Sequence, residues 1–165
     1  MIQHIGIDPS FRKNGFAVCV IGGGDAKFYI LDGFLQFIEW VNNWKEGNEF
    51  WPEFKKELKF AVENSNLQNV TFQTSHNKNI AAKMSRDAGK NQAISQCTVD
   101  YLKAVFGDEN VFELSPLQKG KKIEDTAVFL AYAESLGIKL INYKNKKNEQ
   151  DKRDAFLLAT KIMNK

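Results

Sequence analysis

Residues Ile2 to Asp8 alternate, with Ile5 and Ile7 on the apolar beats, and are rich in β-branched isoleucine, which predicts a first strand. Asp8-Pro9-Ser10 ends it, because proline fixes φ and removes a ladder donor. Gly15 to Ile21 (GFAVCVI) predicts a second strand, and Gly22-Gly23-Gly24-Asp25 reads as a hairpin turn into a third over Lys27 to Leu35. Three short strands joined in this way form an antiparallel meander. The period then changes. Phe37, Trp40, Val41 and Trp44 recur at helical spacing within Gln36 to Lys45, as do Phe54 and Leu58 within Trp51 to Leu58. Gly47-Asn48 between them predicts a bent or two-piece helix. Lys59 to Glu63 (KFAVE) is short and apolar, as expected of a central strand covered on both faces.

Asn64 to Asn79 is polar and reads as a loop. Ile80 to Phe106 predicts a long helix broken at Gly89, with an apolar face through Ala93, Ile94, Cys97, Leu102 and Val105. Asn110 to Leu114 (NVFEL) is the fifth strand, stopped by Ser115-Pro116. Helices follow over Glu124 to Leu136 and from about Glu149 to Ile162, the latter with Ala155, Phe156, Leu158, Ala159 and Ile162 facing inward. The order β-β-β-α-β-α-β-α, with a final helix, predicts one α/β domain over residues 1–165. Its core would be a five-stranded mixed sheet flanked by helices.

Hydrophobic residues at 43% and charged residues at 26% are enough to build and solubilise one core. The longest apolar run, Ile123 to Leu140, is interrupted by charges, so no membrane-spanning helix is expected. Met1-Ile2-Gln3-His4-Ile5 lacks the basic and apolar regions of a signal peptide, and a cytoplasmic location is expected. Two cysteines, Cys19 and Cys97, are too few for a disulfide framework or zinc site; both are expected to be small buried hydrophobes in a reducing cytosol. The net charge of +3 is uneven: residues 31–63 sum to −3, leaving +6 elsewhere. Bases gather at Lys78 to Lys90, at Lys119-Gly120-Lys121-Lys122 and from Lys144 to Arg153. Such clusters suit a polyanionic backbone, whose neutralisation releases counterions, although a solvated surface has the same composition.

Chemistry enters through four acids in three chain-distant places. Asp8 ends the first strand and Glu63 the fourth, while Asp151 and Asp154 stand three apart on one face of the last helix. If strands one and four are neighbours, Asp8 and Glu63 lie side by side. Converging carboxylates repel one another unless cations share the site. Hard divalent ions, Mg²⁺ with Mn²⁺ as a substitute, prefer oxygen ligands, and two of them roughly 3.5–4 Å apart serve phosphodiester hydrolysis. Each acid also has a purely structural explanation. Asp8 suits a turn, Asp151 an N-cap and Asp154 a helix dipole. Glu63 is harder to explain, because a charge closing an apolar strand needs a partner. His4 is expected to pack within strand one, and His76 to lie in the polar loop within reach of nucleic acid.

At these residues the chain resembles the RNase H-like superfamily and, within it, the RuvC-type Holliday junction resolvases, especially divergent phage-borne ones. The resemblance rests on Ile5-Gly6-Ile7-Asp8-Pro9-Ser10 with Gly15-Phe16-Ala17-Val18, on Ala61-Val62-Glu63, on Ser115-Pro116 with Lys119 and Lys122, and on Asp151-x-x-Asp154-Ala155. It implies an RNase H-like fold, a two-metal nuclease site and cutting of four-way DNA junctions by a homodimer. Asp8, Glu63, Asp151 and Asp154 would then be catalytic metal ligands. Lys119, Lys122 and the less closely matched Lys121 would touch phosphate, and the helix over Ile80 to Phe106 would supply the dimer contact. The chain departs from the family at Asn66, where an aromatic that stacks on an opened base is usual. On the resemblance, Phe72 in the same loop would be a candidate to take that aromatic's place. It also departs at Ser10, which replaces a glycine, and in the aromatic segment Trp40 to Phe54.

Sugar kinases and actin-like ATPases share an Asp after a first strand but need two such domains, too much for 165 residues. Two alternatives stay open from sequence: a nuclease acting on an RNA:DNA hybrid or a flap, and a non-catalytic nucleic-acid-binding module of the same fold.

Overall fold

In the computed structural model, which describes residues 1–47, 51–67, 78–143 and 148–163, the strand pattern closes into one mixed sheet. Strands β1 (Gln3–Asp8), β2 (Phe16–Gly22) and β3 (Asp25–Leu31) form the meander. Gly22 pairs with Asp25 across a turn in which Gly23 (φ 62°) and Gly24 (φ 83°) are both left-handed, the twist that a two-residue hairpin needs and glycine accepts freely. Helices α1 (Phe34–Glu46) and α2 (Trp51–Phe54) are the expected two pieces. Strand β4 (Leu58–Glu63) then enters the sheet parallel to β1. Helix α3 (Lys78–Phe106) leads to β5 (Val111–Leu114), parallel to β4. The rest of the chain is α4 (Pro116–Lys119), α5 (Thr126–Ser135), β6 (Lys139–Ile141) and α6 (Glu149–Ile162).

Sheet order is β5-β4-β1-β2-β3-β6, so the sheet has six strands, not the expected five. The sixth is three residues long and pairs parallel with the start of β3, and so short a run carries no readable alternation. Two further expectations change on α3. The helix runs unbroken through Gly89, a residue that lowers helix propensity without preventing the helix. Its buried stripe is Ser95, Thr98, Val99, Leu102 and Phe106, and Cys97 is exposed, not buried; only Cys19 is in the core.

Alternation sorts the strands between two layers. Ile5, Ile7, Phe16, Val18, Phe60 and Val62 face α1 and α3, where Phe37, Val41, Val99, Leu102 and Phe106 complete one core. Ala17, Cys19 and Phe28 face α5 and α6, against Phe129, Ala133, Phe156 and Ala159. Ala61 lies on that second side too, packed with Leu158, Leu114 and Ile162. The expected inward residues of α6, Ala155, Phe156, Leu158, Ala159 and Ile162, are all buried on that side of the sheet. Gly6 is what lets α6 lie so close. A Cβ there would stand 1.8 Å from the Ala155 carbonyl oxygen and 2.5 Å from the Ala159 nitrogen. No helix among the described residues is long and apolar enough to cross a membrane.

Candidate active site

The same alternation aims the acids. Asp8 lies two residues beyond Gly6 and Glu63 two beyond Ala61, so both carboxylates emerge on the α6 side of the sheet. The β1–β4 register pairs Ile7 with Val62, which brings the two residues that follow level on adjacent parallel strands. The first turns of α6 bring Asp151 and Asp154 to the same place. All four acids interact: Asp8 feels Glu63, Asp154 and Asp151. Burial, then the Glu63 carboxylate, push the Asp8 carboxyl well above the ordinary range, and burial, then Asp154, raise that of Asp151. The cluster is short of positive charge.

One cation already serves it. Lys119, for which the resemblance implies a phosphate contact, is buried at 5% exposure. Its ammonium pairs with Glu63 Oε2 and donates to Asp154 Oδ2 at 2.9 Å. Burial works against that charge, and Asp8 and Glu63 outweigh it, so the lysine pKa is raised. The local sequence fixes this placement. Ser115 caps α4, its Oγ accepting from the Gln118 N–H while its own N–H donates to Gln118 Oε1, and Pro116 starts the helix. The four-residue helix so anchored turns Lys119 back over the ends of β4 and β5. Lys122 is 58% exposed, 3.9 Å from Asp154 Oδ2, and Lys121 points to solvent.

A polar cleft of about 250 Å³ opens beside the cluster, lined by Asp8, Glu63 and Asp151 and by Arg12, Asn91 and Ser95. Asp154 is not among its lining residues. It is 3% exposed behind the cleft, and its second oxygen accepts from Gln150 Nε2 at 2.7 Å. Asn91, also in the lining, has a buried Oδ1 acceptor without a hydrogen-bond partner among the described residues. A donor set of hard oxygens, with more carboxylate than ammonium and one orphaned amide oxygen, has the chemistry that a hard divalent cation such as Mg²⁺ requires. As the side chains stand, no three His, Cys, Asp or Glu among the described residues group to hold a metal ion. The space between Glu63 and Asp154 is filled by Lys119.

The end of β4 is held by amides. Asn64 donates to Glu113 Oε2 at 2.7 Å, and Asn66 donates through Nδ2 to Asn64 Oδ1 and to the Gln92 carbonyl of α3, both at 2.9 Å. Asn66 is therefore a tie between the end of the strand and the helix. Phe72 and His76 lie outside the described residues. His4 is half-buried four residues before Asp8, with its pKa lowered by burial and by Lys59.

Sequence reasoning missed Asn91, Arg12 and Arg153. Arg153 is 3% exposed between the two aspartates of α6 but turned away from them. Its guanidinium donates to the Tyr143 hydroxyl at 2.8 Å, to the Ile123 and Glu124 carbonyls, to Thr126 Oγ1 at 2.6 Å and to Glu149 Oε2 at 2.9 Å. It thus ties the segment after Lys122 to the helix that carries Asp151 and Asp154. Nothing in the sequence separates these three from surface polar residues. No protein-family model matches the chain, and no curated protein or solved structure matches it either.

Proposed function

We propose that the protein is a divalent-cation-dependent endonuclease of RNase H-like fold that hydrolyses phosphodiester bonds in branched DNA, as a RuvC-type Holliday junction resolvase does. The observation that carries the reading is the meeting of Asp8, Glu63 and Asp151, from three separated parts of the chain, around a cleft whose carboxylates are under-neutralised. The order of strands, with β1 flanked by parallel β4 and antiparallel β2, supports the fold assignment.

In this reading the acids hold Mg²⁺ or Mn²⁺, which supplies activation of water and stabilisation of the leaving oxygen. The chain's own residues do the rest. Asp8, Glu63 and Asp151, which line the cleft, would hold the cation. Exposed Lys121 and Lys122, with Arg12 at the cleft, hold the phosphate backbone by charge. Arg153 keeps the segment carrying those lysines in register with α6. The helix α3, whose first half exposes Ile80 and Met84, is the proposed homodimer contact. Binding without cutting would leave so costly a gathering of carboxylates without a purpose, which favours an enzyme over a binding module.

The test is cleavage of a synthetic four-way junction with Mg²⁺ by the wild type and by Asp8→Asn, with chelator and linear-duplex controls. Paired symmetric nicks are expected from the wild type only, with a loss of at least about 100-fold in the variant. Equal cutting by both proteins overturns the reading, as does no cutting of junction, flap or hybrid.

A further inference from the structure

We infer that Lys119 is a permanent internal cation that takes the place of one divalent ion, so that the cleft binds one metal ion per chain, and that Asp154 positions this lysine instead of ligating metal. The inference deepens the nuclease reading and rests on it.

The argument starts from what each Asp154 oxygen already does. Oδ2 accepts from Lys119 Nζ at 2.9 Å, and Oδ1 accepts from Gln150 Nε2 at 2.7 Å. Both oxygens of a residue 3% exposed are thus occupied by the chain's own donors, and the residue does not border the cleft. Glu63 shares the same ammonium through Oε2. A cation bridging Glu63 and Asp154 would have to evict an ammonium from between two carboxylates and strand it in a buried place, where an unpaired charge is strongly disfavoured. Beside it the ammonium would meet direct repulsion. The anchoring of α4 by Ser115 and Gln118 leaves Lys119 little freedom to withdraw.

The cleft itself still wants a cation. Among the described residues, Asp8 and Asp151 line it without a hydrogen bond to a basic side chain, and Asn91 Oδ1 has no hydrogen-bond partner. One divalent ion there, with Asp8 and Asp151 as charged ligands and Asn91 as a neutral oxygen, balances the four carboxylates once Lys119 and Lys122, 3.9 Å from Asp154 Oδ2, are counted.

Calorimetric titration of the full chain with Mn²⁺, without DNA, tests this independently of cutting. The wild type should bind one Mn²⁺ per chain. Asp8→Asn and Asn91→Ala should weaken binding by tenfold or more, whereas Asp154→Asn should hold Mn²⁺ within about twofold of wild type. Lys119→Met should bind two. Two saturable ions in the wild type would overturn the inference while leaving the nuclease reading intact, and this count does not depend on any variant folding. An Asp154→Asn loss as large as that of Asp8→Asn overturns it as well, and so does a folded Lys119→Met that still binds one. No saturable Mn²⁺ in the wild type removes both the inference and the cation-dependent reading, whereas one ion with no cleavage of any substrate removes the reading alone.

Discussion

Gly6→Ala is the smallest change that should separate the site's two halves. The new methyl would sit 1.8 Å from the Ala155 carbonyl oxygen and 2.5 Å from the Ala159 nitrogen, both backbone atoms of α6. Ordinary non-bonded contact needs about 3.5 Å, so sheet and helix must part by roughly 1.7 Å. Overpacking that side chains can absorb costs about 1–3 kcal/mol. Here the obstacle is the backbone of a 14-residue helix with nine buried residues, which places the cost at about 3 kcal/mol or more. Against a typical total of about 5–15 kcal/mol, urea unfolding followed by far-UV circular dichroism should show a clearly lower midpoint at unchanged slope. The same displacement moves Asp151 away from Asp8, and a misplacement of about 1 Å can reduce turnover by about 100-fold, so cleavage should fall under conditions where the variant remains folded. A Gly6→Ala protein with the wild-type midpoint would refute the close-approach argument, and a folded variant with full cleavage would refute the link between that approach and the site.

Gly89→Ala should do the opposite, because nothing lies within 4 Å of a Cβ there; a gain of about 0.5–1 kcal/mol is expected from helix propensity and read as a raised urea midpoint. Arg153→Met keeps the bulk but strands the Tyr143 hydroxyl and two carbonyls, and a loss of about 3 kcal/mol should appear in the same assay. Glu113 is depressed below its ordinary carboxylate value of 4.5, first by the Lys103 hydrogen bond and then, against burial, by Asn64. A depressed carboxyl stabilises the fold above its unfolded value, and that stability is lost as pH falls through the folded one. The difference in urea midpoint between wild type and Glu113→Gln should therefore be full at pH 7 and vanish as pH is lowered from about 4.5.

Five strands, the α1–α2 break and the burial of α6 were legible because each carries a period that local sequence states outright. Period two also places Asp8 with Gly6 and Glu63 with Ala61, so the direction of both acids could be read from their neighbours two residues back. The three-residue β6 was not legible, since its place depends on the edge that β3 leaves open. Nor was the α3 stripe, where Ser95 and Thr98 are buried, Thr98 donating its hydroxyl to the Ile94 carbonyl, while apolar Cys97 is outside. Lys119 illustrates the deeper reason. A basic residue followed by a glycine and two more lysines reads as surface, and only the convergence of carboxylates from β1, β4 and α6 draws its charge inward. Asn91 has no signal of its own in a polar helix; its meaning comes from what stands across the cleft.

The two thiols differ in a way that experimenters can use. Cys19 is sealed in the sheet, where burial pushes its pKa well up and a thiolate is scarce. Cys97 is exposed on α3, six residues and about 9 Å along the axis from Asn91. A maleimide dye should therefore label the native chain once, at a known position on α3, giving an optical ruler from the cleft to any fluorophore placed on a DNA arm.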